Sequence, residues 1–104
     1  QVLEQADVLF GYGIMMMSPE EGHILTIGIA ANWQKKGWGK KLLQHFIQYA
    51  REENAKSIFL DVRESNHGAA QLDKQMGFQH IATRKGYYPA MCGREDALVM
   101  QLML

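Results

Sequence analysis

The chain alternates between apolar runs and polar, glycine-marked breaks, and the period of the apolar positions changes from one run to the next. Val8 to Met17 (VLFGYGIMMM) predicts a strand, weakened or bulged near Gly11 and Gly13. Ser18-Pro19-Glu20-Glu21-Gly22 predicts a turn. His23 to Ala30 (HILTIGIA) predicts a second strand, buried on both faces near its end, and the pair reads as an antiparallel hairpin. Ala31 to Gly39 reads as a loop. From Lys40 to Glu53, Leu42, Leu43, Phe46, Ile47 and Ala50 recur at i, i+1, i+4, i+5 and i+8, the stripe of an amphipathic helix, with Asn54 as its C-terminal cap. Ser57 to Val62 (SIFLDV) predicts a strand with Ile58, Leu60 and Val62 on one face and Phe59 and Asp61 on the other.

Arg63 to Asn66 then leads into a shorter helix, about Gly68 to Met76, ended by Gly77. Phe78 to Thr83 starts another strand, Gly86 to Arg94 reads as a long loop, and Ala97 to Leu104 (ALVMQLML) is a final apolar strand. The predicted order is β-β-α-β-α-β-β, an α/β or α+β sheet with helices packed on it.

At 104 residues the chain is expected to form a single domain with one core. Its 47% hydrophobic and 21% charged residues exclude a disordered or collagen-like chain. Eleven basic and eleven acidic side chains cancel, so anion binding has to come from local clustering, and no nucleic-acid partner is expected. No apolar run approaches the roughly 20 residues of a membrane span, so no membrane partner is expected either. One cysteine, Cys92, forms no internal disulfide; it fits a reducing, cytoplasmic compartment and has no visible partner for a nucleophilic role. His23, His45, His67 and His80 lack metal-ligand spacing, so no metal is expected. Met15-Met16-Met17 reads as core filling. Gln1 to Asp7 mix polar, acidic and apolar types, so no signal peptide is expected there, and the start at Gln1 rather than Met leads to the expectation of a longer parent protein.

Chemistry concentrates in Gln34-Lys35-Lys36-Gly37-Trp38-Gly39, between a strand and a helix. Glycines let the backbone turn with its N–H groups inward, and a helix starting there adds unsatisfied N–H groups and the positive end of its dipole. Together these favour phosphate, and Lys35, Lys36, Lys40 and Lys41 add local positive charge. A plain strand–helix loop with solvated lysines fits the Gly and Lys pattern equally well. The spacing is neither that of a Walker A loop nor that of a dinucleotide fingerprint.

Gln-x-x-Gly-x-Gly after an apolar strand resembles the acyl-CoA pyrophosphate loop of the GNAT N-acetyltransferase superfamily. The resemblance continues in order through Leu60-Asp61-Val62-Arg63-Glu64-Ser65-Asn66, Met76-Gly77-Phe78, Gly86-Tyr87-Tyr88-Pro89 and Gly93-Arg94-Glu95-Asp96-Ala97, and covers about Leu9 to Leu104. The Val-Arg-Glu-Ser-Asn segment and the Tyr-Tyr-Pro segment are similar to the RimI-like branch of ribosomal-protein-alanine N-acetyltransferases.

This resemblance implies the GNAT acyl-CoA N-acyltransferase fold, a mixed central sheet flanked by helices, with acetyl-CoA as cosubstrate in a splay between two central parallel strands. It implies that Ile27, Gly28 and Ile29 offer backbone groups to the pantetheine arm, and that one backbone N–H polarises the thioester carbonyl. The alternative for Gly28 is a bulge or packing gap. Gln34, Lys35, Lys36, Gly37, Trp38, Gly39 and Lys40 are implied to bind the cofactor, the lysine-bearing turn holding its pyrophosphate mainly through backbone N–H groups. Trp38 packs near the cofactor or lies exposed beside it. Asn66 is implied to bond the pantetheine; capping the following helix is the alternative, and the two are compatible.

Asp61 stands where the family carries a Glu as general base; a solvated strand-end carboxylate is the alternative. Asp73 stands where the family carries a Tyr that protonates the leaving thiolate. It also lies on the apolar stripe of its helix, with Ala69 and Met76. An ordinary carboxyl has no proton to give at pH 7, so Asp73 serves as an acid only if burial raises its pKa by about 3 units or more. Tyr87 and Tyr88 are implied to bind the acceptor peptide, with aromatic packing in a hairpin as the alternative. Gly86 replaces the Asn usual before the two tyrosines, a change expected to loosen that loop.

The implied reaction is acetyl transfer to the N-terminal α-amino group of a protein, with the N-terminal alanine of a small-subunit ribosomal protein as acceptor. An acetyltransferase for a lysine or a small metabolite, and a non-catalytic CoA-binding regulatory module, remain the alternatives. The family's N-terminal strand and two helices are expected to be lacking, since only eight residues precede the Leu9–Met17 strand. The sheet edge left open would be covered by a homodimer or a strand swap.

Overall fold

The computed structural model describes residues 2–8, 11–29 and 37–104, with every side chain among them except those of 2, 3, 5–8, 11, 26, 28 and 29. Its elements are β1 (Val2–Val8), β2 (Gly11–Met17), β3 (Glu21–Ile29), α1 (Trp38–Glu52), β4 (Ser57–Arg63), α2 (His67–Gln75), β5 (Gln79–Ala90) and β6 (Gly93–Met103). Two compact units hold them: residues 1–58 with Leu104, and residues Phe59–Met103.

In the first unit β1, β2 and β3 form an antiparallel meander against which α1 packs. The strand β1 corrects the expectation that no strand precedes Leu9–Met17, and it covers the edge of β2 that was expected to lie open. Its sequence hid it because Glu4, Gln5 and Asp7 leave neither face consistently apolar. Ala30 and the 31–36 loop lie outside the described residues. β3 starts at Glu21, two residues early, because the Ser18 amide and hydroxyl both reach the Glu21 carbonyl, at 2.9 and 3.2 Å, and close the turn sooner. Met15 and Met17 are buried, with their sulfurs filling the space over Gly22, as core filling predicts.

The α1 stripe is buried as its spacing predicts: Leu42, Leu43, Phe46, Ile47 and Ala50 all face inward. The helix starts at Trp38, two residues earlier than the apolar pattern shows, since Trp38 and Gly39 add no stripe residue. It ends in a Schellman motif with Asn54 at φ 60°: the Asn54 amide reaches the Arg51 carbonyl (3.0 Å) and the Ala55 amide the Ala50 carbonyl (2.9 Å).

In the second unit the strand order is β4-β6-β5, with β5 and β6 antiparallel. Leu60 and Val62 of β4 are buried, whereas Asp61 and Arg63 lie on its more open face, the alternation expected of a strand. α2 begins at an Asn66 cap and ends in a second Schellman motif at Gly77, φ 101°, where the Gly77 amide reaches Lys74 and the Phe78 amide reaches Asp73. A Cβ there would also stand 3.0 Å from Leu102, so only glycine fits. The expected long loop from Gly86 to Arg94 is instead hairpin: β5 runs through Tyr87, Tyr88 and Pro89 to Ala90, and only Met91 and Cys92 separate it from β6. Gly-Tyr-Tyr-Pro reads as a loop because a bulge, not a turn, accommodates its glycine.

Phe46 is fully buried at the centre of the α1 stripe. Phe46→Ala is expected to lose about 3–5 kcal/mol in urea denaturation, a large share of the ~5–15 kcal/mol typical of a domain.

Candidate functional site

The expected site residues fall into both units. In the first, Ile27, Gly28 and Ile29 pair through β3 with Gly13, Tyr12 and Gly11 of β2, and the Ile27 side chain is half-buried. Gln34, Lys35 and Lys36 lie outside the described residues. Gly37 turns the chain into α1 at φ 81°, and a Cβ placed on it would meet nothing within 4 Å, so this bend is open. Among the described residues no side chain caps α1, and its first turn has no acidic residue, so its N-terminal end keeps its capacity for an anion. Lys40 is exposed, while the Lys41 ammonium lies 4.3 Å from the centre of the half-buried Trp38 ring.

In the second unit the strands bring Asp61, Tyr87 and Tyr88 together with two arginines. Arg84 Nε approaches Asp61 Oδ1 at 3.4 Å, and its guanidinium lies 5.7 Å from the centre of the Tyr87 ring. The Arg63 guanidinium lies 4.3 Å from the centre of the Tyr88 ring, and its Nη1 donates to the Pro89 carbonyl and to Glu95 Oε2, both at 3.0 Å. The two tyrosine rings meet edge to face, 5.0 Å apart. Burial, with the nearby Asp61 carboxylate and Tyr87, raises the pKa of the Tyr88 hydroxyl above its usual value. The hydroxyl therefore stays protonated, an uncharged donor beside a carboxylate.

Sequence reasoning missed both arginines as parts of this cluster. Arg63 carried a signal, because it shares the Asp61 face at i+2. Arg84 carried none: it reaches Asp61 from β5 over the intervening strand β6, an arrangement that no local pattern reports.

Asn66 caps α2, its Oδ1 accepting from the Ala69 amide at 3.1 Å, so the capping reading holds. Asp73 is the only buried residue of α2 and is 7% exposed. Desolvation raises its carboxyl from 3.8 to about 7. Its place in the helix explains the cost. A Schellman motif normally seals an apolar contact between the residue three before the cap and the residue two after it. In α1 these are Ala50 and Ala55, both buried; in α2 they are Asp73 and the buried Phe78. A carboxyl occupies the apolar seat. With a pKa near 7 it holds its proton about half the time at neutral pH, the condition the sequence set for an acid at this position.

Among the described residues no group of three or more His, Cys, Asp or Glu is placed to hold a metal, and no helix is long and apolar enough to cross a membrane.

The acetyltransferase (GNAT) family model matches residues 2–78. The chain is 32% identical over 100 residues to the [ribosomal protein bS18]-alanine N-acetyltransferase of Escherichia coli K12, covering 96% of this chain and 68% of that protein. Its structure is similar to the crystal structure of the ribosomal-protein-S18-alanine N-acetyltransferase from Escherichia coli, with a TM-score of 0.86 over 90% of this chain and 61% of that one. It is also similar to a GNAT family acetyltransferase from Elizabethkingia anophelis with acetyl-CoA bound, at 25% identity and a TM-score of 0.81, over 91% of this chain and 69% of that one. The chain thus spans about two thirds of the length of these relatives.

Because the Asp73 carboxyl titrates higher folded than unfolded, the folded state binds its proton more tightly, and stability falls as pH rises towards about 7. The part of this loss between pH 5 and 8 is ~2–3 kcal/mol, at 1.36 kcal/mol per pKa unit. Urea denaturation at the two pH values is expected to show that slope in the parent and to lose it in Asp73→Asn.

Proposed function

The chain belongs to the GNAT acetyltransferase family, and from that premise we propose that it transfers acetyl from acetyl-CoA to the α-amino group of a protein N-terminus. The acceptor that fits is the N-terminal alanine of a small-subunit ribosomal protein, the substrate class for which its Escherichia coli relatives are named. The observation that carries the choice of a peptide acceptor is the carboxylate of Asp61 standing in one cluster with the paired rings of Tyr87 and Tyr88.

The chemistry suits these residues. A protein α-amino group has a pKa near 7.7–8.0, so roughly a tenth of it is free amine at pH 7, whereas a lysine at about 10.4 is almost wholly protonated. A modest base is enough for the first. Asp61, one methylene shorter than glutamate, accepts the amine proton through a water. An arriving α-ammonium competes with Arg84 for the same carboxylate, so binding and charge exchange at Asp61 are one event. Tyr87 and Tyr88 offer flat apolar surface to the first residues of the acceptor.

The open bend at Gly37 and the start of α1 supply the anion-binding end for the diphosphate of acetyl-CoA, with Gly39 and Lys40 beside it; by the family resemblance Gln34, Lys35 and Lys36 bind the same diphosphate. Ile27, Gly28 and Ile29 run alongside the pantetheine as the strand edge that polarises the carbonyl. The amine nitrogen attacks the thioester carbonyl, the carbon–sulfur bond breaks, and the thiolate takes a proton from the Asp73 carboxyl. The proton taken up by Asp61 and the nitrogen's remaining surplus proton pass to solvent, and solvent returns one proton to Asp73.

The test is incubation with acetyl-CoA and peptides beginning with Ala or carrying lysine, read by mass spectrometry. Acetylation at the Ala α-amine is expected. Asp61→Asn should lower kcat/KM by ~10²-fold or more, the usual contribution of a general base. Asp73→Tyr should keep turnover and extend it to higher pH, because a phenol holds its proton to about pH 10. A folded parent and a folded Asp73→Tyr variant that both bind CoA and acetylate nothing would make the chain a CoA-binding module and overturn the reading.

A further inference from the structure

β6 carries Arg94, Glu95 and Asp96 in succession, a charged tripeptide that the proposed reaction does not use, on the strand lying between β4 and β5. Each member grips a different piece of backbone. Asp96 accepts from the Gly86 amide at 2.9 Å and from Lys85 Nζ at 3.2 Å. Arg94 donates from Nε to the Gly86 carbonyl and from Nη2 to the Tyr87 carbonyl. Glu95 turns to the other neighbour: it takes the Ser65 amide and Arg63 Nη1, both at 3.0 Å.

These contacts answer a question of geometry. Successive side chains of a regular strand point to opposite faces, yet the rings of Tyr87 and Tyr88 touch. They can because β5 is bulged just before Tyr88: Arg84 pairs with Ala97 and Tyr88 with Glu95, so Lys85, Gly86 and Tyr87 all oppose the single residue Asp96. Such a bulge strips backbone groups of their ladder partners. Asp96 takes up the orphaned Gly86 amide, and Arg94 takes up the orphaned Gly86 and Tyr87 carbonyls. Glu95 meanwhile fixes the Arg63 guanidinium that lies over Tyr88. The amide bonds favour the charged carboxylates and hold both groups below the usual carboxylate range.

We infer that Arg94, Glu95 and Asp96 are positioning residues: they template the β5 bulge and the end of β4 so that Tyr87 and Tyr88 are presented as one surface to the acceptor. The inference rests on the reading that these tyrosines meet the acceptor. None of the three touches the reacting atoms in that reading; they act through the bulge.

The test compares Asp96→Ala with Asp96→Asn in the full chain, because asparagine keeps an oxygen able to accept from the Gly86 amide. In Asp96→Ala the inter-ring nuclear Overhauser contact of Tyr87 and Tyr88 is expected to vanish and the Gly86 amide to lose its protection from hydrogen exchange. The KM for an Ala-initiated peptide should rise ~10-fold, the scale of one charge-assisted hydrogen bond, while the KM for acetyl-CoA and kcat hold. Asp96→Asn should restore the ring contact and most of the KM. Should Asp96→Ala fail to fold, Arg94→Lys, which lacks the second donor for the Tyr87 carbonyl, carries the same readouts. Unchanged ring contact and Gly86 protection in the folded variants overturn the inference. If the parent acetylates no peptide, the proposed function fails, yet the ring contact and the amide still decide whether the tripeptide builds the pair.

Discussion

A strand that gains extra residues against its partner has to find new homes for the backbone groups it displaces, and in this chain β6 supplies them. The bulge of β5 places three residues opposite Asp96, and the Gly86 amide and the Gly86 and Tyr87 carbonyls then bond side chains of β6. An unsatisfied group there would carry about 1–3 kcal/mol of penalty wherever water is excluded. Gly86 sits at φ 58°, a conformation that glycine and asparagine both tolerate. Local order at the acceptor end of the candidate site is therefore set by hydrogen-bond satisfaction, and the aromatic pair is its consequence.

Asp73 shows the opposite economy. Both helices close with the same Schellman hydrogen bonds, but α1 seats alanines in the apolar contact and α2 seats a carboxyl against Phe78. Nothing about stability favours that choice. An acid whose proton is held to about pH 7 by desolvation alone has been moved into the range where it can exchange protons near neutrality. The helix gives up apolar packing for a group that titrates near neutrality. The cost is tolerable because the rest of the unit is conventionally sealed: Phe78, Ala97 and Met100 are all buried.

How much of this was legible depends on the range of the interaction. The α1 stripe, the alternation of β4, the Asn66 cap and the Asn54 and Gly77 stops are local, and their residues announce them. The GNAT relationship was legible because its markers are ordered short motifs. β1 was not, because a strand with Glu4, Gln5 and Asp7 shows neither a clean period nor a run. The extent of β5 was hidden by Gly86 and Pro89, which signal a turn unless the partner strand is known to accept a bulge. The Arg84–Asp61 and Arg63–Glu95 pairs join positions 23 and 32 residues apart. Sequence gave the members and topology made the pairs.

The zero net charge takes on a different meaning once the pairs are drawn. In the second unit Asp61 pairs with Arg84, Glu95 with Arg63 and Asp96 with Lys85. Exposed pairs of this kind contribute little to stability, roughly 0–1 kcal/mol each. Their contribution here is placement. Glu95 and Asp96 are committed to backbone amides as well as to cations, whereas Asp61 meets the side chain of a half-exposed arginine, Arg84. Of the three carboxylates, Asp61 is thus the one an incoming cation can take over without dismantling the backbone. A free α-ammonium has the charge for that exchange and, unlike lysine, the acidity to surrender its proton afterwards. In the proposed reaction, the arrangement that neutralises the cluster at rest is also the one that selects the amine.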